Sequence, residues 1–178
     1  MSAGALAGIK VVDLSCVLGS PLCGQTLADH GADVIKVEPL RGDVTRGWGW
    51  AEEEGYGSYF IGLNRNKRSI SINLGMSEGR EIVFRLLARA DVMIENFKAG
   101  TLENWSMGYD DVLFEQFPRL VHCRVFGFGT DGSLGGYPGY DAVLRAAGGV
   151  MSVNDDRGGE QVRVGIPLVD IGTGMWAP

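Results

Sequence analysis

The sequence has little concentrated positive charge and few cysteines. Its longest basic block is Lys67-Arg68, in a 178-residue chain with a formal net charge of −6. Because proteins bind phosphate backbones with clustered cations, we predict no nucleic-acid partner. The three cysteines, Cys16, Cys23 and Cys123, lack the spacing of metal ligands. They are predicted to be reduced, partly buried thiols, with no metal site.

Long apolar runs are also missing. No stretch is long enough to span a bilayer, and residues 1–7 lack the basic region and apolar core of a signal peptide. These absences predict a cytoplasmic protein with no membrane partner. With 45% hydrophobic and 21% charged residues, the chain has an ordinary globular composition. Its partner is therefore predicted to be a small molecule.

Strand and helix patterns alternate along the chain. Ile9–Leu14 is predicted to be a buried strand, and Ser20 is predicted to cap a helix that ends near Gly31. Asp33–Glu38 is the next strand, which completes a right-handed parallel βαβ unit. Further strands are predicted at Ser69–Leu74, Asp91–Glu95 and Leu120–Phe126, and further helices at Ser77–Ala88, Tyr109–Gln116 and Asp141–Ala147. The pattern predicts an α/β fold with a doubly wound, Rossmann-like parallel sheet.

Two long glycine-rich connections, Pro39–Glu54 and Gly127–Gly139, separate these units. Long loops in compact domains usually carry function. Residues 127–132 read Gly-Phe-Gly-Thr-Asp-Gly and fit the dinucleotide fingerprint G-x-G-x-x-G. However, residues 133–138 contain two glycines and a proline and cannot continue as the helix whose N-terminus would meet a pyrophosphate. We therefore predict neither a nicotinamide nor a flavin site.

Asp170 is the most distinctive candidate for chemistry. Its neighbours in 168–171 are apolar, so packing would remove water from the carboxylate, raise its pKa and make it a stronger nucleophile. Gly172 and Gly174 leave room for a ligand beside it. The sequence thus predicts an active-site carboxylate. The alternative is that Asp170 only caps a helix running on to Trp176.

Two other segments offer weaker signals. Asn64–Ser69 gathers three cations and two amides, which suits either a phosphate site or a solvated turn. Glu95-Asn96-Phe97 ends a predicted parallel strand, where ligands bind in open α/β sheets. Its amide and aromatic ring suit a planar ligand, and a core Phe beside a turn Asn is the alternative.

Seven segments, in this order and with compatible spacing, carry a family resemblance. They are Gly8–Leu14, Gly31–Glu38, Arg41–Asp43 with Arg46, Asn64–Ser69, Asp91–Phe97, Gly139–Asp141 and the segment around Asp170. Together they resemble the class III CoA-transferases, which include formyl-CoA and carnitine CoA-transferases, with α-methylacyl-CoA racemase as a relative. The resemblance covers the whole chain. It implies coenzyme A or acyl-CoA as a substrate, a carboxylic acid as the other partner, and no tightly bound cofactor.

The resemblance also assigns site residues. It implies that Asp170 is the nucleophile that carries first the acyl group and then CoA. The implied CoA-binding residues are Val17, Leu18, Gly19, Ile72, Asn73, Asn96, Phe97, Lys98 and Asn104, with Tyr140 near the thioester. Pro39 and Asn104 stand where better-known members carry arginines for the nucleotide end of CoA. Arg41, Arg68 or Lys98 are the alternative phosphate contacts.

The function implied is transfer of CoA between carboxylic acids through an aspartyl anhydride and an aspartyl-CoA thioester. The first alternative is a racemase, but Tyr140 stands where the racemase has a histidine. Tyrosine is a poor base near neutral pH, which favours transfer. The second alternative is a truncated, non-catalytic fragment.

The resemblance further implies that residues 1–178 are the N-terminal portion of a large CoA-binding domain. Members of the family run to more than twice this length. A small domain and a return segment that completes the large domain are absent from this chain. For a full-length member, an interlocked homodimer is expected.

Overall fold

The computed structural model describes residues 4–53, 56–154 and 159–178 as an α/β fold. The strands are β1 (Lys10–Asp13), β2 (Asp33–Glu38), β3 (Ala51–Glu53), β4 (Tyr56–Gly57), β5 (Arg68–Ser71), β6 (Val92–Glu95) and β7 (Val121–Arg124). The α-helices are α1 (Gly19–Asp29), α2 (Ser58–Asn64), α3 (Ser77–Leu87), α4 (Thr101–Asn104), α5 (Phe114–Gln116), α6 (Asp141–Ala147) and α7 (Leu168–Trp176). Short 3-10 helices occupy Val44–Gly47 and Val150–Val153, and a π-helical turn occupies Tyr109–Leu113.

The main sheet has five parallel strands in the order β5-β2-β1-β6-β7. The chain therefore winds outward from β1 in one direction and then from β6 in the other. Such a reversal opens a crevice at the carboxyl ends of the two central strands, where ligands bind in sheets of this type. The predicted doubly wound parallel sheet is confirmed, and β2, β1 and β6 are its three interior strands.

Helices cover both faces of this sheet. Successive side chains of a strand point to opposite faces, and accordingly Val12 packs in one apolar cluster and Val11 in the other. The first cluster includes Val83 of α3, and the second includes Cys23 and Ala28 of α1. This two-sided burial explains why β1 carries an apolar residue on each of its faces.

The start of α1 corrects one prediction. The helix begins at Gly19 with Leu18 as its N-cap, so Ser20 lies inside the first turn and is not the cap. The cause lies in the preceding turn, where Val17 has φ = 71° and so directs the chain into the helix two residues earlier than predicted. The buried Ser20 hydroxyl has no hydrogen-bond partner within the described ranges.

The end of β5 corrects another. The strand was predicted to reach Leu74 but ends at Ser71. Asn73 explains the end, because its side-chain oxygen accepts a hydrogen bond from the Gly75 amide at 3.0 Å and closes a turn. The backbone of Ile72 still bonds Glu38 at 2.8 Å, so this turn remains attached to β2.

The two glycine-rich connections differ in structure. The first contains the 3-10 helix Val44–Gly47 and β3, and Glu54 at its end lies outside the described residues. In the second, residues 127–139 form turns and bends, and the next helix is α6. The prediction that no helix directly follows the G-x-G-x-x-G segment is therefore confirmed. Among the residues that the structure describes, no helix is both long enough and apolar enough to cross a membrane.

Candidate active site

Two adjoining cavities lie at the carboxyl ends of the central strands. The β1–β2 cavity, of about 480 Å³, is lined by residues 14–16, 36–41, 43, 72–75, 97 and 105. The Asp170 cavity, of about 350 Å³, is lined by residues 16–20, 96–99, 101, 125–127, 129, 136–140, 144, 170 and 173. Cys16 and Phe97 belong to the walls of both. The two spaces therefore adjoin at the crevice between β1 and β6.

Asp170 is the third residue of α7, whose N-cap is Pro167. The interpretation that Asp170 is itself the helix cap is therefore wrong. The carboxylate is half-buried, and burial raises its pKa above the ordinary value. The negative charge of Asp141 raises the pKa further, whereas the positive charge of Arg145 lowers it. This is the desolvated environment that the sequence predicts for the side chain.

Helix α7 packs closely against the turn that follows β1. A Cβ added to Gly174 would lie 2.6 Å from the carbonyl oxygen of Gly19, and one added to Gly19 would lie 3.2 Å from that of Asp170. Only glycine allows backbones to approach this closely. The helix that carries Asp170 is thus seated directly on the wall formed by residues 17–19.

Most of the predicted site residues come together. Seven of them share the Asp170 cavity with Asp170 itself: Val17, Leu18, Gly19, Asn96, Phe97, Lys98 and Tyr140. Ile72 and Asn73 line the β1–β2 cavity instead. Asn104, at the end of α4, is exposed and is not among the residues that line either cavity.

The basic turn 64–69 uses its cations within the protein. Lys67 is buried and its ammonium lies 2.8 Å from the Asp13 carboxylate. Arg65 and Arg68 pair with Asp29 and Asp33 on the surface. The cations on the cavity walls are elsewhere, and they include Arg41 at the β1–β2 cavity and Lys98 at the Asp170 cavity.

Sequence reasoning missed a buried polar layer in the wall of the β1–β2 cavity. The ammonium of Lys36 lies 2.9 Å from the Asp43 carboxylate and donates to the Ser15 carbonyl at 2.8 Å. Glu38 accepts a two-pronged hydrogen bond from Arg46, 2.7 Å on each side. Charged residues at the carboxyl end of a buried strand, as in the sequence of β2, are the signal that could have revealed this layer.

Tyr59 was also missed. Burial and then the nearby charge of Asp170 raise the pKa of this phenol. Its ring meets Trp48 edge-to-face at 5.4 Å. Both aromatics belong to the region between β2 and β5, where long connections predict function without identifying individual residues.

With this geometry in place, comparison with known proteins decides the family. Residues 6–178 match the model for CoA-transferase family III. The chain belongs to CoA-transferase family III. It is 45% identical over 184 residues to an acyl-CoA transferase of Fusarium pseudograminearum, with 98% of this chain and 40% of the relative covered. It is 42% identical over 181 residues to the succinyl-CoA:mesaconate CoA-transferase of Haloarcula marismortui, with 97% and 45% covered.

A solved structure of the same family has the same fold. The crystal structure of a CAIB/BAIF family protein from Brucella suis superposes with a TM-score of 0.92 at 42% identity, over 99% of this chain and 47% of that one. This CoA-transferase family III chain thus spans less than half the length of each of these three relatives.

Proposed function

We propose that this chain provides the nucleophile and much of the acyl-CoA site of an enzyme that transfers CoA between carboxylic acids. The observation that carries the proposal is the position of Asp170. Its half-buried carboxylate has a raised pKa and faces a cavity that adjoins a second one at Cys16 and Phe97. An extended thioester lying through both spaces would bring its reactive carbon to Asp170.

The chemistry follows from a carboxylate nucleophile. Asp170 attacks the thioester carbonyl, forms a mixed anhydride and releases CoA as a thiolate. The thiolate then attacks the aspartyl carbonyl, which yields an aspartyl-CoA thioester and the free donor acid. The acceptor carboxylate reverses the two steps and leaves with CoA, so Asp170 is regenerated. Covalent catalysis of this kind divides one difficult step into easier ones.

The predicted binding residues divide between the two ends of the ligand. Ile72 and Asn73 would contact CoA in the β1–β2 cavity, where Arg41 is available for phosphate. The turn 17–19 and residues 96–98 would contact the pantetheine arm beside Asp170. Tyr140 would lie at the thioester. Asn104 stays a predicted contact for a part of CoA that reaches α4.

Substrate choice is proposed from the relatives. The Haloarcula protein is named for succinyl-CoA and mesaconate, so succinyl-CoA is the first donor to test and dicarboxylic acids are the first acceptors. The N-terminal domain portion and the interlocked homodimer stay predictions. Size-exclusion chromatography of the protein at its full natural length would test the dimer.

The nucleophile can be tested by trapping. The protein at full natural length, incubated with succinyl-CoA and hydroxylamine, should form a hydroxamate at Asp170, located by mass spectrometry. Asp170→Asn should abolish both the hydroxamate and the turnover, whereas Asp110→Asn, at an exposed position, should keep them. An adduct on Cys16, a residue of both cavity walls, would contradict the assignment and favour thiol chemistry.

A further inference from the structure

Arg145 is a buried cation on α6 that the proposed chemistry leaves without a role. Only 3% of the residue is exposed. Its guanidinium forms an ion pair with Asp141, one turn earlier on the same helix. One of its terminal nitrogens also donates to the carbonyls of Val164 at 2.5 Å and Ile166 at 3.0 Å. These carbonyls belong to the segment that leads directly into α7.

Asp141 continues this set of contacts to the nucleophile. The residue is 8% exposed, and its Oδ1 accepts hydrogen bonds from the backbone amides of Val169 at 2.9 Å and Asp170 at 3.4 Å. It thereby satisfies amide groups at the N-terminus of α7 that have no partner within the helix. Arg145 therefore touches the nucleophile's helix in two ways: through the entering segment and through Asp141.

We propose that Arg145 is a positioning residue for Asp170. It fixes the segment that begins α7, and it neutralises the Asp141 carboxylate that would otherwise oppose ionisation of the nucleophile. The inference rests on the proposed function, because it assigns Arg145 to the chemistry of Asp170.

The charges around Asp170 support the second role. Asp141 and Arg145 face it from α6, and their charges act on its pKa in opposite directions. Tyr59 faces it from α2, and Lys98 and Tyr140 share its cavity. On α1, the titratable groups are the Cys23 thiol and the Asp29 carboxylate, which is paired with Arg65.

Removal of Arg145 would leave the Asp141 charge unopposed beside a desolvated carboxylate. Like charges disfavour ionisation, so the pKa of Asp170 would rise. At acidic pH a larger fraction of the enzyme would then hold Asp170 protonated and unable to attack. A loss of packing alone would lower activity equally at every pH. The pH dependence of the loss therefore separates an electrostatic role of Arg145 from a purely structural one.

The test uses Arg145→Gln and Arg145→Lys in the protein at its full natural length, with succinyl-CoA and mesaconate as substrates. For Arg145→Gln we expect the acid limb of kcat/KM to move to higher pH, with a loss of at least about tenfold on that limb that shrinks toward alkaline pH. Arg145→Lys retains the positive charge, so the acid limb of its kcat/KM profile should lie at the same pH as in the parent protein. The double variant Asp141→Asn/Arg145→Gln removes both charges and should also restore the acid limb to that pH. Arg163→Gln, an exposed charge change nearby, should leave it unmoved.

A second readout does not depend on turnover. Carbon-detected NMR titration of the Asp170 carboxyl should show a higher pKa in Arg145→Gln than in the parent protein. If Arg145→Gln does not fold, the same titration in Arg145→Lys should show the parent pKa. An acid limb and an Asp170 pKa that do not move in Arg145→Gln, or a Lys variant that titrates differently from the parent, would overturn the inference. If no hydroxamate forms at Asp170 in the parent protein, this would instead count against the proposed function itself.

Discussion

The side-chain amide of Asn96 brackets the backbone of Cys16. Its Nδ2 donates to the Cys16 carbonyl at 2.8 Å, and its Oδ1 accepts from the Cys16 amide at 3.0 Å. The next residue, Val17, has φ = 71°, which is unfavourable for a β-branched side chain. Asn96 thus holds a strained turn in the wall of the Asp170 cavity, and such strain is found where a site is held in a fixed shape.

Asn96→Ala should therefore weaken both stability and substrate binding. Two hydrogen bonds are lost, so we expect the free energy of unfolding to fall by about 2 kcal/mol, measured by urea denaturation. The relaxed turn should raise KM for acyl-CoA in the protein at full natural length. Asn104→Ala removes an exposed amide and should leave stability unchanged. If Asn96→Ala were as stable as the parent protein, the two hydrogen bonds between Asn96 and the Cys16 backbone would not stabilise the turn.

Tyr140 decides between transfer and racemisation. Its side chain borders the Asp170 cavity, and 69% of the residue is exposed. An exposed phenol is a poor base near neutral pH, so the protein at full natural length should not exchange the α-hydrogen of a branched acyl-CoA with deuterium from solvent at a catalytic rate. Tyr140→Phe should lower CoA transfer only modestly, because a hydrogen bond at most is lost. Rapid deuterium exchange would reverse the ranking in favour of the racemase.

The fold was predictable because its signals are local. The strand predicted from residue 9 to 14 has apolar residues on both faces, as a strand covered by helices must have, and the αβ alternation then fixes a parallel sheet. The predicted bounds of β2 and α6 agree with the structure. The prediction that Ser20 caps α1 was wrong because capping preferences describe average helices. Here the strained turn at Val17 determines where α1 begins.

The site was predictable only as far as single residues carry a signal. Asp170 has one, because a lone carboxylate in an apolar and glycine-rich segment is unusual. Arg145 has none: at 145 a cation in the last turn of a helix is ordinary. Its contacts depend on how residues 164–166 return to α6, which is a tertiary event. In the same way, the backbone role of Asn96 could not be separated from a ligand contact before the position of Cys16 was known.

Acid should destabilise the protein in part through Glu38. Burial raises the pKa of this carboxyl, but hydrogen bonds from Arg46, Ser69 and the Asp43 amide outweigh it and lower the pKa from 4.5 to about 2. A group with a lowered folded-state pKa stabilises the protein fully above its unfolded pKa. This contribution, of up to ~3 kcal/mol, is lost as pH falls from 4.5 toward 2.

Glu38→Gln tests this window. The difference in unfolding free energy between the parent and Glu38→Gln should be largest near neutral pH and should shrink below pH 4.5. Glu115→Gln, which removes an exposed carboxylate, should change the unfolding free energy near neutral pH much less than Glu38→Gln does. A Glu38→Gln difference that is constant from pH 7 to pH 2 would show that ionisation of Glu38 contributes nothing.

The two glycines of α7 provide a matched pair for the contact between α1 and α7. A Cβ on Gly174 would meet the Gly19 carbonyl at 2.6 Å and the Leu22 side chain at 2.7 Å, whereas one on Gly172 would meet nothing within 4 Å. Alanine favours the helix over glycine by about 1 kcal/mol at either position. Gly172→Ala should therefore stabilise the protein slightly. Gly174→Ala should force the helices apart and destabilise it by roughly 1–3 kcal/mol.

The same pair reports on catalysis, because Asp170 lies one turn before Gly174 on the displaced helix. Gly174→Ala should lower kcat/KM in the protein at full natural length by more than tenfold, since a displacement of about 1 Å can cost a hundredfold in rate. Gly172→Ala leaves the contact with α1 intact and should therefore keep kcat at the parent value. A rise in KM without a fall in kcat would show that the added methyl group contacts the ligand. Equal stability and equal kcat for the two variants would show that close approach of α7 to Gly19 is not what holds the nucleophile in place.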